Sequence, residues 1–386
     1  MREIYLDNSA TTRVFPEVAE LMTRIYTEEY GNPSSLHHKG VEAERELTKA
    51  KQTLAGILKC EPGQLYFTSC GTESDNLAIL GAAAAHGRRG KHIITTPFEH
   101  PAVSECMKYL ESQGYEITTL KVDGKGVINP VDVAEAVRED TILVSVMHTN
   151  NEIGSVQQVG EIGRLIKEKN RNTLFHVDAV QGFGKAVLHP SRMHIDLLAA
   201  SGHKIHAPKG IGLLYVGKGV RIRSTIYGGG QQGGMRSGTE NVAGIAGMAL
   251  AADMLYRDLE EERAKLFRMK KSFAEKIASL PDVQLNGPQD EVFGAPNVIS
   301  LSVKNVRAEV LLHALEDRGI YVSSGSACSS NRPHTSSTLT AIGLPKEYLD
   351  STIRISTSVM NTEEDIDDTV RALQELVPVL RKYTAH

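Results

Sequence analysis

Between residues 64 and 216 short apolar runs alternate with amphipathic stretches, and this alternation leaves few architectures open to the chain. Strands are expected at 64–68, 92–96, 115–120, 142–147, 174–178, 196–200 and 211–216. Helices fit at 73–87, 101–113, 130–138 and 157–170. Strands joined through helices pair in parallel, because each crossover brings the chain back to the same end of the sheet. A parallel sheet is buried on both faces, so its strands read as continuous apolar runs such as Leu197–Ala200. The expectation is an α/β fold, a mostly parallel sheet covered by helices. In such sheets ligands bind beyond the carboxyl ends of the strands.

The flanks differ from this middle. Ile4–Leu6 reads as a short strand, Asp7–Thr12 as a polar loop, and 16–28 and 40–59 as helices. The Gly-rich stretch Tyr227–Gly238 breaks the alternation, and a long helix is expected over about 240–279. Strands at 297–303 and 352–356, with helices at 307–318 and 362–382, make a second, α+β unit. The domain change is placed near residue 257, giving a large domain at 16–256 and a smaller one from 1–15 and 257–386. Charge argues against nucleic acid, since the formal net charge is −4. No apolar run approaches the roughly 18–20 residues of a membrane span, and the N-terminus shows no secretory signal. Cys60, Cys70, Cys106 and Cys328 have no metal-like spacing and read as thiols in a reducing, cytoplasmic setting.

The strand ends carry the candidate chemistry. Strand 196–200 runs into Ser201, Gly202, His203 and Lys204. A lysine at the exit of a buried strand is costly to desolvate, and a lowered pKa or a bond to a carbonyl relieves the cost. Lys204 is therefore a candidate Schiff-base lysine of the kind that holds pyridoxal phosphate (PLP), against the alternative of a solvated strand-end lysine. Ser69–Ser74 contains Gly71 and Thr72 at the start of a helix, either a phosphate cradle or a simple N-cap. Ser201, His203, Ser237 and Thr239 are further candidate phosphate donors. Asp178 ends another strand; it pairs with a protonated pyridine nitrogen or caps the next turn, and Gln181 adds a neutral donor. His100 stacks on a ring and moves protons, or is a satisfied structural histidine. Asn150 holds a turn or hydrogen-bonds cofactor or substrate.

Two residues lie outside this stretch. Arg354 stands between Ile353 and Ile355 on an apolar strand, where its fork suits a substrate carboxylate unless it lies on an exposed edge. Cys328 sits among small residues, Ser323–Ser330, which predicts an accessible thiol: a nucleophile if its pKa is lowered, an incidental cysteine otherwise. Phosphate cradle, stacking histidine, acid, Schiff-base lysine, carboxylate fork and accessible thiol together indicate PLP chemistry on an amino acid with a sulfur acceptor.

The motifs Tyr5–Thr12, Gly31–Ser35, Thr72–Asn76, Glu99-His100, Asn150–Gly154, His176–Gln181, Ser201–Lys204, Arg236–Asn241 and Ser324–Cys328 occur in this order along the whole chain. In them the chain resembles the cysteine desulfurases of the class V aminotransferase group, of the type with a long cysteine-bearing loop. The resemblance implies the PLP-dependent transferase fold type I and removal of sulfur from L-cysteine to give L-alanine and a persulfide on Cys328. It implies that Lys204 binds PLP and takes the substrate Cα proton, that His100 stacks on the ring, and that Asp178 and Gln181 meet the pyridine nitrogen and phenolic oxygen. Gly71, Thr72, Ser201 and His203 are implied at the phosphate, and Asn32, Asn150 and Arg354 at the substrate carboxylate. Thr239 is implied to reach the phosphate of a second subunit, hence a homodimer. A sulfur-acceptor protein, an iron–sulfur scaffold or tRNA-thiolation protein, is implied as partner. The sequence departs from the family at Gln232 and Gly233, where an acidic residue and an arginine are common.

Overall fold

The computed structural model describes residues 2–324 and 336–384. The chain opens with β1 (Ile4–Tyr5), α1 (Pro16–Thr27) and α2 (His38–Leu58). Seven strands then form one sheet: β2 (Leu65–Thr68), β3 (His92–Thr95), β4 (Glu116–Thr119), β5 (Thr141–Met147), β6 (Leu174–Asp178), β7 (Leu197–Ser201) and β8 (Gly212–Val216). Between them run α3 (Gly71–His86), α4 (Pro101–Ser112), α5 (Pro130–Ala136) and α6 (Val159–Lys169). The spatial order is β2-β8-β7-β6-β5-β3-β4. The five strands from β7 to β4 are parallel, whereas β8 is antiparallel to both its neighbours. The short connection 202–211 leaves no length for a crossover helix, so β8 must turn back.

Both faces of the sheet are covered, as its apolar runs predict. Leu198, Val177 and Phe175 pack toward α1, α2 and α7 (Val242–Arg257), while Leu197, Leu143 and Ile93 pack toward α3 and α4. The long helix expected over 240–279 is instead two, α7 and α8 (Leu259–Ile277), broken at Asp258 with φ −116° and ψ 24°. The break has a packing reason. Leu255 belongs to the core under the sheet, whereas Leu266, Phe273 and Ile277 belong to a second core.

That second core lies against an antiparallel sheet. Its elements are β9 (Val283–Asn286), β10 (Val298–Val303), α9 (Ala308–Glu316), β11 (Ile320–Tyr321), β12 (Ser323–Ser324), α10 (Ser337–Ala341), α11 (Lys346–Leu349), β13 (Thr352–Ser356) and α12 (Glu363–Thr384). The sheet order is β12-β13-β10-β9. β1 pairs in parallel with β11, so Ile4 and Leu6 join this second core although they are remote in sequence. Among the described residues no helix is long and apolar enough to cross a membrane, and no histidine, cysteine and carboxylate cluster is suited to a metal ion.

Candidate active site

A cavity of about 330 Å³ opens where β5, β6 and β7 end; Met147, Asp178 and Ser201, the last residues of those strands, line it. Lys204 enters from the short turn Gly202–Lys204. Its Nζ donates to the carbonyls of Ser9 at 2.5 Å and Ala10 at 2.7 Å, on the polar loop after β1. The amine is thus held at the cavity wall by hydrogen bonds to two backbone carbonyl oxygens. His100 is the N-cap of α4, and its Nδ1 accepts from the Ala102 N–H at 3.1 Å. An accepting Nδ1 leaves the proton of the neutral ring on Nε2. Burial holds its pKa below the ordinary histidine value, against the pull of Asp178. The structural role and the cavity position thus coexist in one residue.

Asp178 is buried, and its Oδ1 accepts from the Val180 N–H at 2.9 Å. Burial pushes its carboxyl upward, while His100 and Lys204 pull the other way. A cation set at this floor would relieve the desolvation. Gln181 donates from Nε2 to the Ser9 carbonyl at 2.9 Å, and its Oε1 is buried without a partner. Gly71 and Thr72, which also line the cavity, begin α3, whose first backbone N–H groups have no partner within the helix. A Cβ at Gly71 would lie 2.7 Å from Val180 Cγ2 and 3.4 Å from Ser201 Cβ. Ser201 Oγ is buried and unpartnered. His203 Nδ1 lies 3.2 Å from Thr11 Oγ1, and burial lowers its pKa to about 4, so the ring is neutral.

These observations fit PLP. A helix N-terminus with a buried unpartnered hydroxyl suits a phosphate, a buried carboxylate suits a pyridinium, and an unpartnered amide beside it suits a ring substituent. A lysine lies on the same cavity.

Arg354 reaches the cavity from β13. It is buried, not on an exposed edge, and donates from Nη2 to Asp7 Oδ1 at 2.8 Å and from Nη1 to the Asn151 carbonyl at 3.0 Å. One expectation shifts by a residue. Asn150 is fully buried and spends its amide on the turn: Oδ1 accepts from the N–H groups of Glu152 and Ile153, and Nδ2 donates to Phe98 and Thr338. Asn151, not Asn150, lines the cavity. Asn32 and Thr239 are exposed and do not line the cavity of their own chain. Cys328 lies outside the described residues.

Sequence reasoning missed Asp75, Asn151 and the N-terminal loop Asp7–Thr12. Asp75 lines the cavity one helical turn after Gly71, a spacing that places both on one face of α3. Burial and the neighbouring Asp178 push its carboxyl well above the ordinary range. Glu99, buried behind the site, is pushed up to about 8 by burial.

Fold and site together define a class V aminotransferase: the model of the aminotransferase class-V family matches residues 4–369. Within that class the chain belongs to the cysteine desulfurase family. It is 41% identical over 382 residues to the cysteine desulfurase IscS of Clostridium botulinum, covering 99% of this chain and 96% of the relative. It is 43% identical over 382 residues to a cysteine desulfurase of Trichormus azollae, covering 99% and 94%. A solved NifS-like protein superposes with a TM-score of 0.92 at 39% identity, covering 98% of this chain and all of that one.

Proposed function

We propose that this PLP-dependent cysteine desulfurase draws its proton chemistry from Lys204 and His100 and its sulfur nucleophile from Cys328. The observation that carries the reading is the meeting of Lys204, His100, Asp178, Ser201 and Arg354 on one cavity. Lys204 would hold PLP through its amine, Asp178 would face the ring nitrogen and Gln181 the phenolic oxygen. Gly71, Thr72, Ser201 and His203 would hold the phosphate. Bound PLP supplies an electron sink for charge at the substrate Cα.

The protein's own groups do the rest. Arg354 and Asn151 orient the carboxylate of L-cysteine, so that its Cα–H faces Lys204 Nζ, which takes that proton. The thiolate of Cys328 attacks the substrate sulfur, forming an S–S bond as the Cβ–S bond breaks. Delivery of a proton to Cβ, with the Nε2–H of His100 as donor and the substrate's thiol proton replacing it, and return of the Cα proton by Lys204 complete L-alanine. Cys328 keeps the sulfur as a persulfide, to be passed to an iron–sulfur scaffold or a tRNA-thiolation protein. Thr239 is exposed in its own chain, and Tyr30, Leu36 and Tyr227 are exposed large apolar side chains; these support a homodimer in which Thr239 serves the partner's phosphate site, while Asn32 would join the substrate-carboxylate group. A cytoplasmic location follows from reading the cysteines as thiols; Cys60, Cys70 and Cys106 are unpaired among the described residues. The division into 16–256 and 1–15 with 257–386 is supported by Ile4 and Leu6 sharing a core with residues 266–377.

The test is product analysis after incubation with L-cysteine. Wild type should release alanine, plus sulfide when a reductant is present. Cys328→Ala with wild-type turnover would refute the nucleophile, and Lys204→Ala with an unaltered cofactor spectrum would refute the lysine.

A further inference from the structure

The side chain of Arg354 presents an unevenly used fork. Nη1 and Nη2 are engaged by the Asn151 carbonyl and Asp7 Oδ1, but Nε is buried with no partner. Nε and Nη2 form one edge of a guanidinium, the edge that takes a carboxylate through two parallel hydrogen bonds. Asp7 fills only one prong of it. A buried N–H left unpaired is costly, so this edge is incomplete as a structural ion pair.

Asp7 is held there by backbone, not by its own side chain. Leu6 accepts from the Ser356 N–H at 2.7 Å, the Asn8 N–H donates to the Ser356 carbonyl at 3.2 Å, and Asp7 bridges in parallel with Ser356 at the end of β13. The register puts a carboxylate beside Arg354, two residues upstream on that strand. Arg354 is 3% exposed at its side chain and Asp7 22%, so the carboxylate is the more solvent-accessible partner of the two.

We propose that Asp7 is the resting counter-ion of the substrate-binding arginine: it holds one prong of the Arg354 fork until a substrate carboxylate takes both. The proposal rests on Arg354 being the carboxylate-binding residue. Asp7 then tunes affinity for carboxylate ligands specifically. A ligand must displace an internal anion, which weakens its binding while keeping the guanidinium paired and aimed in the ligand-free enzyme.

The experiment measures competitive inhibition of the PLP-loaded enzyme by two probes. One is 3-mercaptopropionate, which keeps the thiol and carboxylate of cysteine. The other is cysteamine, which keeps the thiol and amine and lacks the carboxylate. Asp7→Asn and Asp7→Ser should each tighten 3-mercaptopropionate by roughly tenfold and leave cysteamine within about twofold. Arg354→Lys should weaken 3-mercaptopropionate in either background. If Arg354→Lys weakens it but neither soluble Asp7 variant tightens it, the counter-ion role is overturned. If Arg354→Lys changes nothing, the carboxylate role of Arg354 falls, and the proposal with it. Equal tightening of both probes would also overturn it, since a general loosening of the cavity does not discriminate carboxylates.

Discussion

His176 Nε2 lies 3.4 Å from Oδ1 of the cavity-lining Asp75, with both residues buried and neither atom otherwise partnered. The distance is that of an ion pair, but burial disfavours both charges. Burial lowers the His176 pKa to about 3 and, with Asp178 nearby, raises Asp75 well above the carboxylate range. A carboxyl whose charge is disfavoured therefore faces a neutral ring, whose Nδ1 lies 2.9 Å from Ser145 Oγ. Asp75→Asn keeps a neutral donor and should cost under about 1 kcal/mol. His176→Ala leaves a cavity and two unpaired polar groups and should cost about 3 kcal/mol or more. Urea denaturation midpoints of the two variants decide it; equal losses would show that the pair carries charge.

The same physics sets an acid limit on stability. Burial lowers the pKa of His148, His203 and His206 to about 4 and of His176 to about 3. Histidines held neutral by the fold bind fewer protons than in the unfolded chain, so their contribution is complete above about pH 6.5 and is lost as pH falls toward 4. Glu99, raised to about 8, works in the opposite sense: the fold keeps its proton, and that contribution fades as pH rises from about 4.5 to 8. Asp75, Asp178 and Glu152, also raised by burial, act in the same sense as Glu99, while His92 and His100, also lowered by burial, act with the four histidines. The histidines are the more numerous, six against four, so denaturation midpoints should fall between pH 7 and pH 5. A midpoint that rises over this interval would contradict the neutral histidines.

Most of the sheet was legible because its strands are buried on both faces. β6 and β13 match their expected bounds, and the other central strands match within about a residue or two. What was not legible depended on contacts between distant segments. The break at Asp258 exists because two cores pull on one helical pattern. β9 is four residues long and only partly buried, so it carries no strong period. Asn150 and Asn151 are chemically identical, and only the turn decides which amide is consumed and which reaches the cavity. Asp7 is tied to Arg354 by a strand register across most of the chain.

Gln232, one of the departures from the family pattern, has a structural task. Its Oε1 accepts from the Phe67 N–H at 2.6 Å and its Nε2 donates to the Phe67 carbonyl at 2.8 Å, so one side chain pairs with the outer edge of β2. It does this from a left-handed backbone, φ 50° and ψ 41°. Glutamate at 232 could accept but not donate, leaving the carbonyl unpaired against a carboxylate. Gln232→Glu should therefore raise amide exchange in the segment 65–68 by roughly tenfold, and Gln232→Ala should do likewise. Unchanged exchange in both would mean that solvent pairs this edge equally well.

Gly71 offers the sharpest separation of cofactor binding from folding. Its backbone φ is ordinary for a helix start, so the constraint is space: an added Cβ would meet Val180 Cγ2 at 2.7 Å and Ser201 Cβ at 3.4 Å. Val180 follows the acid Asp178 by two residues, and Ser201 supplies a candidate phosphate hydroxyl. A methyl group there therefore pushes on both ends of the cofactor site at once. Overpacking of this kind costs about 1–3 kcal/mol. Because the atoms that must move are those facing the cavity, the loss should appear mainly in cofactor affinity. Absorbance titration of the Gly71→Ala apoprotein with PLP should show at least a roughly tenfold weaker dissociation constant, equivalent to about 1.4 kcal/mol. Its denaturation midpoint without PLP should move little. A variant that loses stability in full while binding PLP as tightly as wild type would place the strain in the helix start and not in the cradle.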